Sequence, residues 1–155
     1  MASFRDIDDA AKSERDAAEA RQKADDLAVA EKEQRNLKDG EEWMLRVPLA
    51  TLTRAREELA GRYLVEFSDD FSGMRARHSY SLTVTYTLEP VTGSRFREVP
   101  HYLSVDKHRR VKCIARSAFD ELGPQNIFTG TIDEVTIEDF EKHIADLVRW
   151  WVNNR

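Results

Sequence analysis

The chain is poor in cysteine, proline and glycine. Its 155 residues include one cysteine, four prolines and six glycines. The single cysteine, Cys113, excludes an intramolecular disulfide, so nothing indicates an oxidising compartment. The longest apolar runs are far too short to cross a bilayer, and the charged start SFRDIDDAAKSERD does not resemble a signal peptide. We therefore expect a soluble cytoplasmic protein without a membrane segment.

The sequence also lacks the motifs that identify catalytic and metal-binding sites. It contains no HExxH, CxxC or GxSxG pattern and no glycine-rich phosphate loop. Its four histidines, which are not spaced as metal ligands, are His78, His101, His108 and His143. Cys113 alternates with Val111 and Ala115 along a predicted strand, which favours a small core residue over a nucleophile. We expect a protein that is not an enzyme and that binds no metal and no cofactor.

Bulky apolar residues are scarce in the first forty positions. All three tryptophans, all four tyrosines and six of the seven phenylalanines come after residue 40. A hydrophobic core requires such residues to be gathered in one part of the chain. The sequence therefore predicts an extended helix over 1–40 and a globular domain over 41–155.

Residues 4–38 are predicted to form one long helix. No proline or glycine interrupts them, Ser3 and Asp6 are spaced as a capping pair, and Gly40 is placed as a stop. One side of this helix, the alanine seam, consists of Ala10, Ser13, Ala17, Ala20, Ala24 and Leu27. The alanine seam lacks the bulky residues of a stable coiled coil. Three interpretations stay open: a solvated helix, a helix packed closely on a copy of itself or another chain, or a disordered segment.

The domain is predicted to be an antiparallel meander of four to five strands. Strand-like segments occur at 42–47, 62–67, 74–88, 95–105 and 111–116. A short amphipathic helix over 49–60 is expected to end at Gly61, and residues 117–122 suit one helical turn. Pro100 indicates that its strand lies at an edge or contains a bulge.

The last helix has the clearest boundary signals. Val135, Thr136, Asp139 and Phe140 are spaced as a hydrophobic staple and a capping box. The apolar stripe that follows consists of Ile137, Phe140, Ile144, Leu147, Val148 and Trp151. We expect this stripe to cover a sheet, which gives an α+β fold of two layers. Trp150 and His143 lie at the edge of the stripe and are candidate partner contacts.

The segment HSYSLTVTYTLEP, residues 78–90, alternates between two kinds of side chain. The even positions are mostly apolar, whereas Ser79, Ser81, Thr83, Thr85 and Thr87 carry hydroxyls. Threonine favours strands, and a hydroxyl can bond either to water or to a partner. We expect the apolar side to face the last helix and the hydroxyl side to form an outer contact surface.

Residues 74–116 form a basic stretch in an acidic protein. They contain nine basic and three acidic residues, whereas the whole chain has a net charge of −5. The candidate anion or nucleic-acid contacts are Arg75, Arg77, Arg95, Arg97, Arg109 and Arg110. A basic β-ribbon over 75–116 can enter a DNA groove, but a pI near 5.4 and two acidic helices oppose binding of a polyanion. Pairing of these arginines with acids of the same fold is the simpler interpretation.

A long helix with a small-residue seam, joined to a domain without a recognisable active site, is typical of a non-enzymatic adaptor or assembly subunit. We predict that it binds a partner protein, or a second copy, through the alanine seam and the exposed sheet surface. Two alternatives remain. One is a nucleic-acid-binding protein that uses the 75–116 ribbon, and the other is a small enzyme whose residues converge only in three dimensions.

Overall fold

The structure is a computed structural model and describes residues 2–71, 81–92, 99–115 and 125–153. The chain divides into two units, Met1–Arg35 and Asn36–Arg155. Residues 36–40, which the sequence analysis assigned to the N-terminal region, belong to the second unit. Parts of the predicted strands 74–88 and 95–105, and the helical turn predicted for 117–122, lie outside the described residues.

The first helix, α1, spans Phe4–Met44 and is longer than predicted. The expected capping pair is present, because Ser3 N donates to Asp6 Oδ2 and Asp6 N donates to Ser3 Oγ, both at 3.1 Å. Gly40 does not end the helix, so that prediction was wrong. Gly40 is buried inside α1, and a Cβ there would lie 2.9 Å from Val105 Cγ1. The glycine therefore permits a close approach between helix and sheet.

The segment 42–47, which was predicted to be a strand, is helical. A π-helical turn, Leu45–Leu49, joins α1 to α2, which spans Ala50–Glu58. Pro48 lies in the π-helical turn, where its missing N–H interrupts α-helical hydrogen bonding. The buried residues of this region follow a helical spacing and are Leu37, Gly40, Trp43, Met44 and Val47. The strand prediction failed because Gly40 and Pro48 concealed this period.

The five strands form one antiparallel sheet in chain order. They are β1 Tyr63–Asp69, β2 Ser81–Pro90, β3 His101–Asp106, β4 Arg110–Ala115 and β5 Gln125–Thr131. The predicted meander is confirmed, although its fifth strand is β5 and not 42–47. Since β3 lies in the middle of the sheet, the edge position inferred from Pro100 was wrong. Pro100 precedes β3, where no ladder N–H is required.

The last helix, α3, spans Ile137–Asn153 and begins as predicted. Thr136 N donates to Asp139 Oδ2 at 2.9 Å, and Asp139 N donates to Thr136 Oγ1 at 3.3 Å. This reciprocal arrangement is a capping box. Phe140, Ile144 and Trp151 are buried, and Leu147 and Val148 are partly buried. The predicted stripe is wrong at one position, Ile137, which is 38 % exposed.

The end of α1, the π-helical turn, α2 and α3 share one core with the inner face of the sheet. The inward side chains of β2 are buried, as expected, at Leu82, Val84, Tyr86 and Leu88. Two tryptophans of the helical layer donate hydrogen bonds from their indole nitrogens to backbone carbonyls. Trp151 Nε1 donates to Leu88 O at 2.6 Å, and Trp43 Nε1 donates to Val135 O at 3.1 Å. The two-layer α+β architecture is therefore confirmed.

Candidate functional site

The helix of the first unit is exposed along its length. Every residue from Ala2 to Lys32 is exposed. The exposed positions include the predicted contacts of the alanine seam, Ala10, Ala17, Ala20, Ala24 and Leu27. Continuing from Leu27, the residues Ala30, Glu31, Gln34 and Arg35 line a shallow depression with it. These five follow the i, i+3, i+4, i+7, i+8 spacing of a single helix face.

A second apolar stripe on this helix was not singled out from the sequence. Phe4, Ile7 and Val29 are all exposed, Phe4 at 92 %. At about 100° per residue they lie on the side of Ala11 and Ala18, roughly 140° from the alanine seam. The helix therefore presents two narrow apolar faces, a bulky one at its ends and a small one in its middle.

The outer face of the sheet carries hydroxyl groups on three neighbouring strands. Cross-strand partners lie on the same face, and on β2 Thr85 lies between Ser68 of β1 and Tyr102 of β3. The whole set, which we call the hydroxyl patch, is Ser68, Thr83, Thr85, Thr87, Tyr102 and Ser104. The hydroxyl side predicted for one strand thus extends across β1, β2 and β3, although Thr87 is itself buried at 8 % exposure. It carries no formal charge of its own. Ser79, which was predicted to belong to this side, lies outside the described residues.

Trp150 has the partial exposure that a contact residue needs. It is 43 % exposed, and its ring packs edge-on against Trp151 with a centroid distance of 4.9 Å. Trp151 is buried and bonded to the sheet. Trp150 is therefore held in a fixed place at the surface, where an aromatic ring can anchor a partner.

His143 lies in the core, and its predicted place at an exposed edge is corrected. It is 8 % exposed, and its Nε2 atom lies 2.6 Å from Tyr86 Oη. Phe128 of β5 packs edge-on against its ring at 5.6 Å between centroids. Because the unpredicted strand β5 brings Phe128 to this side of α3, the buried stripe is rotated toward His143 and away from Ile137.

Tyr86 connects His143 to two further polar residues of the core. Its Oη atom lies 3.3 Å from Cys113 Sγ, and its ring stacks on His101 at 5.0 Å. His101 Nδ1 donates to the carbonyl of Val99 at 3.0 Å. The inward direction of Tyr86 and Cys113 followed from strand alternation. Their meeting with His143 did not, because it depends on how α3 is rotated over the sheet.

The core environment keeps these groups uncharged at neutral pH. Burial raises the pKa of Cys113 to about 11 and raises the pKa of Tyr86 well above its usual value. Burial also lowers the pKa of His143 to about 4, and the nearby His101 adds to this effect. A thiol of this kind is not a nucleophile at neutral pH. Every buried side-chain nitrogen and oxygen in the described ranges has a hydrogen-bond partner.

Arg109, a candidate anion contact, is paired with carboxylates of its own unit. Its Nη1 atom lies 2.5 Å from Asp39 Oδ2, and its Nη2 atom lies 3.0 Å from Asp133 Oδ1. This pairing matches the simpler interpretation of the basic stretch, at this residue. Arg110 is exposed. The other candidates, Arg75, Arg77, Arg95 and Arg97, lie outside the described residues.

Within the described ranges, no three histidine, cysteine, aspartate or glutamate side chains are grouped so that they could hold a metal ion. None of the helices there combines the length and the apolar character needed to span a membrane.

No family model, no curated protein and no solved structure matches this chain.

Proposed function

We propose that this protein is a non-enzymatic adaptor or assembly subunit, which binds a partner protein or a second copy through the helix of its first unit. The observation that carries the proposal is the exposure of that helix from Ala2 to Lys32. Large apolar side chains are among the exposed residues, with Leu27 at 61 %. Burying one such side chain against a partner contributes about 1.5–3 kcal/mol.

The helix is long enough for an extended contact but has weak local support. At about 1.5 Å per residue, the exposed stretch offers roughly 45 Å of helix surface. Its ion pairs, such as Lys12 with Asp8 at 2.7 Å and Arg15 with Glu19 at 3.1 Å, are exposed. Exposed pairs of this kind contribute about 0.3–0.5 kcal/mol each. Packing against a partner supplies the stabilisation that these pairs do not.

The hydroxyl patch is the second surface of the proposal. A hydroxyl can both donate and accept a hydrogen bond. The patch can therefore replace its hydrogen bonds to water by hydrogen bonds to a partner without leaving a charge unpaired. Thr83 and Thr85 are half-buried at the centre of the patch, and Tyr102 lies beside them. Such a surface suits a reversible contact better than a permanent one, because its apolar content is low.

The position of the polar core residues supports a non-enzymatic role. Tyr86, Cys113 and His143 have the most displaced pKa values among the described residues. All three are enclosed between α3 and the sheet. A substrate needs access to such groups, so their burial favours a structural role in the core.

A truncated chain tests whether the helix carries association. The truncation begins at Asn36 because Leu37 and Gly40 are buried in the second unit. We expect residues 36–155 to melt cooperatively and to scatter light as a monomer, whereas the full chain exceeds its monomer mass of 17.9 kDa or captures a partner. Equal masses and equal captured proteins for the two chains contradict the proposal.

Two matched pairs of alanine-to-glutamate substitutions identify the helix face that the partner uses. Ala17→Glu with Ala24→Glu charges the alanine seam, and Ala11→Glu with Ala18→Glu charges the opposite stripe. Both pairs add two carboxylates seven residues apart on an exposed helix, so their helix propensities match. We expect the first pair to reduce association at least tenfold and the second to leave it unchanged. The reverse result assigns the contact to the stripe of Phe4, Ile7 and Val29.

Nucleic-acid binding by residues 75–116 is the alternative, and it predicts a different result. Electrostatic binding to a duplex is strongest at low salt and weakens steeply as salt rises. We therefore expect no retention of a short duplex by the full chain at about 50 mM salt. Retention there that decreases with added salt favours the basic ribbon over the helix.

A further inference from the structure

Two imidazole rings contact each other in the core between α3 and the sheet. His101 of β3 and His143 of α3 have ring centroids 5.3 Å apart. Both rings also contact Tyr86, with centroid distances of 5.0 and 5.8 Å. His101 is 4 % exposed, so a positive charge on either ring is poorly solvated, and two charges repel strongly at this distance.

The hydrogen bonds of His143 restrict the charged form further. A neutral imidazole can either accept from Tyr86 Oη or donate to it. A protonated ring carries hydrogen on both nitrogens, so Nε2 must donate to Tyr86 Oη, 2.6 Å away. The tyrosine hydroxyl must then turn to Cys113 Sγ, 3.3 Å away, which is a weak acceptor. Protonation thus exchanges a well-satisfied chain of hydrogen bonds for a poorer one.

One neighbouring carboxylate opposes these effects. The titratable side chains that interact with His143, directly or through Tyr86, are Tyr86 of β2, His101 of β3, Cys113 of β4 and Asp146 of α3. Asp146 favours the charged imidazole, but Asp146 is also paired with Arg149 at 2.8 Å. On the side of α3 that meets α2, Arg54 and Glu141 pair with each other at 2.8 Å.

We infer that His101 and His143 make the packing of α3 on the sheet sensitive to protons, so that mild acid releases α3 and uncovers its apolar stripe. Moving α3 off the sheet is the direct way for both rings to reach water, because His143 belongs to the helix and His101 to the strand beneath it. The bond from Trp151 to the carbonyl of Leu88 joins the same two elements, so it breaks in the same step. This device is independent of the proposed adaptor function.

The direction of the pH effect follows from the shifted histidines. Burial, followed by the charge of His101, lowers the pKa of His143 from 6.5 to about 4, and burial also lowers the pKa of His101. The folded state therefore binds fewer protons than the unfolded state. The stabilisation that the neutral histidines contribute is fully present above about pH 6.5 and is lost as the pH falls toward about 4. From His143 alone, the unfolding equilibrium constant at pH 5 exceeds that at pH 8 by about 30-fold.

The test uses the full chain, the variant His143→Gln, and His108→Gln as a matched control. His108 is exposed in the turn between β3 and β4, so its loss removes a histidine without touching the core. Urea unfolding between pH 8 and pH 5 gives the equilibrium constant, and amide exchange gives the protection of α3 and β3. We expect the wild type and His108→Gln to show a rise of at least about 30-fold, because His101 adds to the effect of His143, with α3 losing protection before β3. In His143→Gln the rise should be smaller by about that factor.

Two results overturn the inference. One is an equal pH dependence in His143→Gln and the wild type, and the other is full protection of α3 amides at pH 5. If His143→Gln does not fold, NMR titration of the histidine rings in the wild type decides instead. An imidazole of His143 that titrates below pH 5 supports the inference, whereas titration near 6.5 overturns it.

Discussion

The helix of the first unit and α3 begin with the same chemistry and then differ in what supports them. Ser3 with Asp6, and Thr136 with Asp139, form the same reciprocal hydrogen bonds at the two N-termini. In α3, large apolar residues follow at helical spacing and are buried. In the first unit, every residue from Ala2 to Lys32 is exposed. Helical structure therefore has two sources in this chain, local propensity in one unit and packing in the other.

The largest effect that this comparison predicts belongs to Phe140. Its side chain is fully buried in α3 and contacts the rings of Tyr86 and Phe128 at 5.7 and 6.2 Å. Phe140→Ala should lower the free energy of unfolding by about 3–5 kcal/mol, because it removes a large apolar side chain and leaves a cavity. Urea unfolding at pH 8 measures the change.

Trp150→Ala is the control for that experiment. Trp150 is a larger residue on the same helix but is 43 % exposed, so we expect a loss below about 1.5 kcal/mol. An equal loss at Phe140 and Trp150 contradicts the packing described for α3. A small loss at both means that α3 is less important to the core than its burial indicates.

Gly40→Ala should lower the free energy of unfolding by an intermediate amount, although helix propensity alone predicts an increase. In a helix interior, alanine is favoured over glycine by about 1 kcal/mol. Here the new Cβ would lie 2.9 Å from Cγ1 of Val105, which is itself buried in β3. Since overpacking costs about 1–3 kcal/mol, we expect a net loss of up to about 2 kcal/mol. Increased stability in the same unfolding assay means that Val105 moves away at little cost.

Gly40 also shows where prediction from the sequence stops. A glycine followed by an apolar segment is typical of a helix end, but here it is a contact with Val105, sixty-five positions later in the chain. No local pattern contains that partner, and the same error turned 42–47 into a strand. By contrast, the alternation of β2 and the capping box of α3 were predicted correctly, because each depends on residues within a few positions of one another.

The candidate surfaces also differ in how far they could be predicted from local sequence. The alanine seam could be read from spacing alone, since an exposed helix follows its own period. The position of His143 could not, because it depends on Phe128 of the unpredicted strand β5. The hydroxyl patch lies between these cases. Its β2 residues were predicted, whereas Ser68 and Tyr102 became part of it only through the register of β1 and β3.

The two capping pairs allow the comparison to be tested with the smallest change. Thr136→Ala removes the hydroxyl that accepts from Asp139 N, and loss of such a cap costs about 1 kcal/mol. Ser3→Ala removes the equivalent acceptor for Asp6 N, but the helix that it caps is exposed from Ala2 to Lys32. We therefore expect Thr136→Ala to lower the free energy of unfolding and Ser3→Ala to leave it unchanged.

The helix content of the folded protein should respond to the two substitutions in the opposite manner. The local cap supplies a large part of the stability of the exposed N-terminal helix, which frays when the cap is lost. Helix content measured by circular dichroism below the unfolding transition should decrease in Ser3→Ala and stay constant in Thr136→Ala. If Ser3→Ala lowers the unfolding midpoint as much as Thr136→Ala does, the exposed helix is coupled to the core. The distinction between propensity and packing then does not hold for this chain.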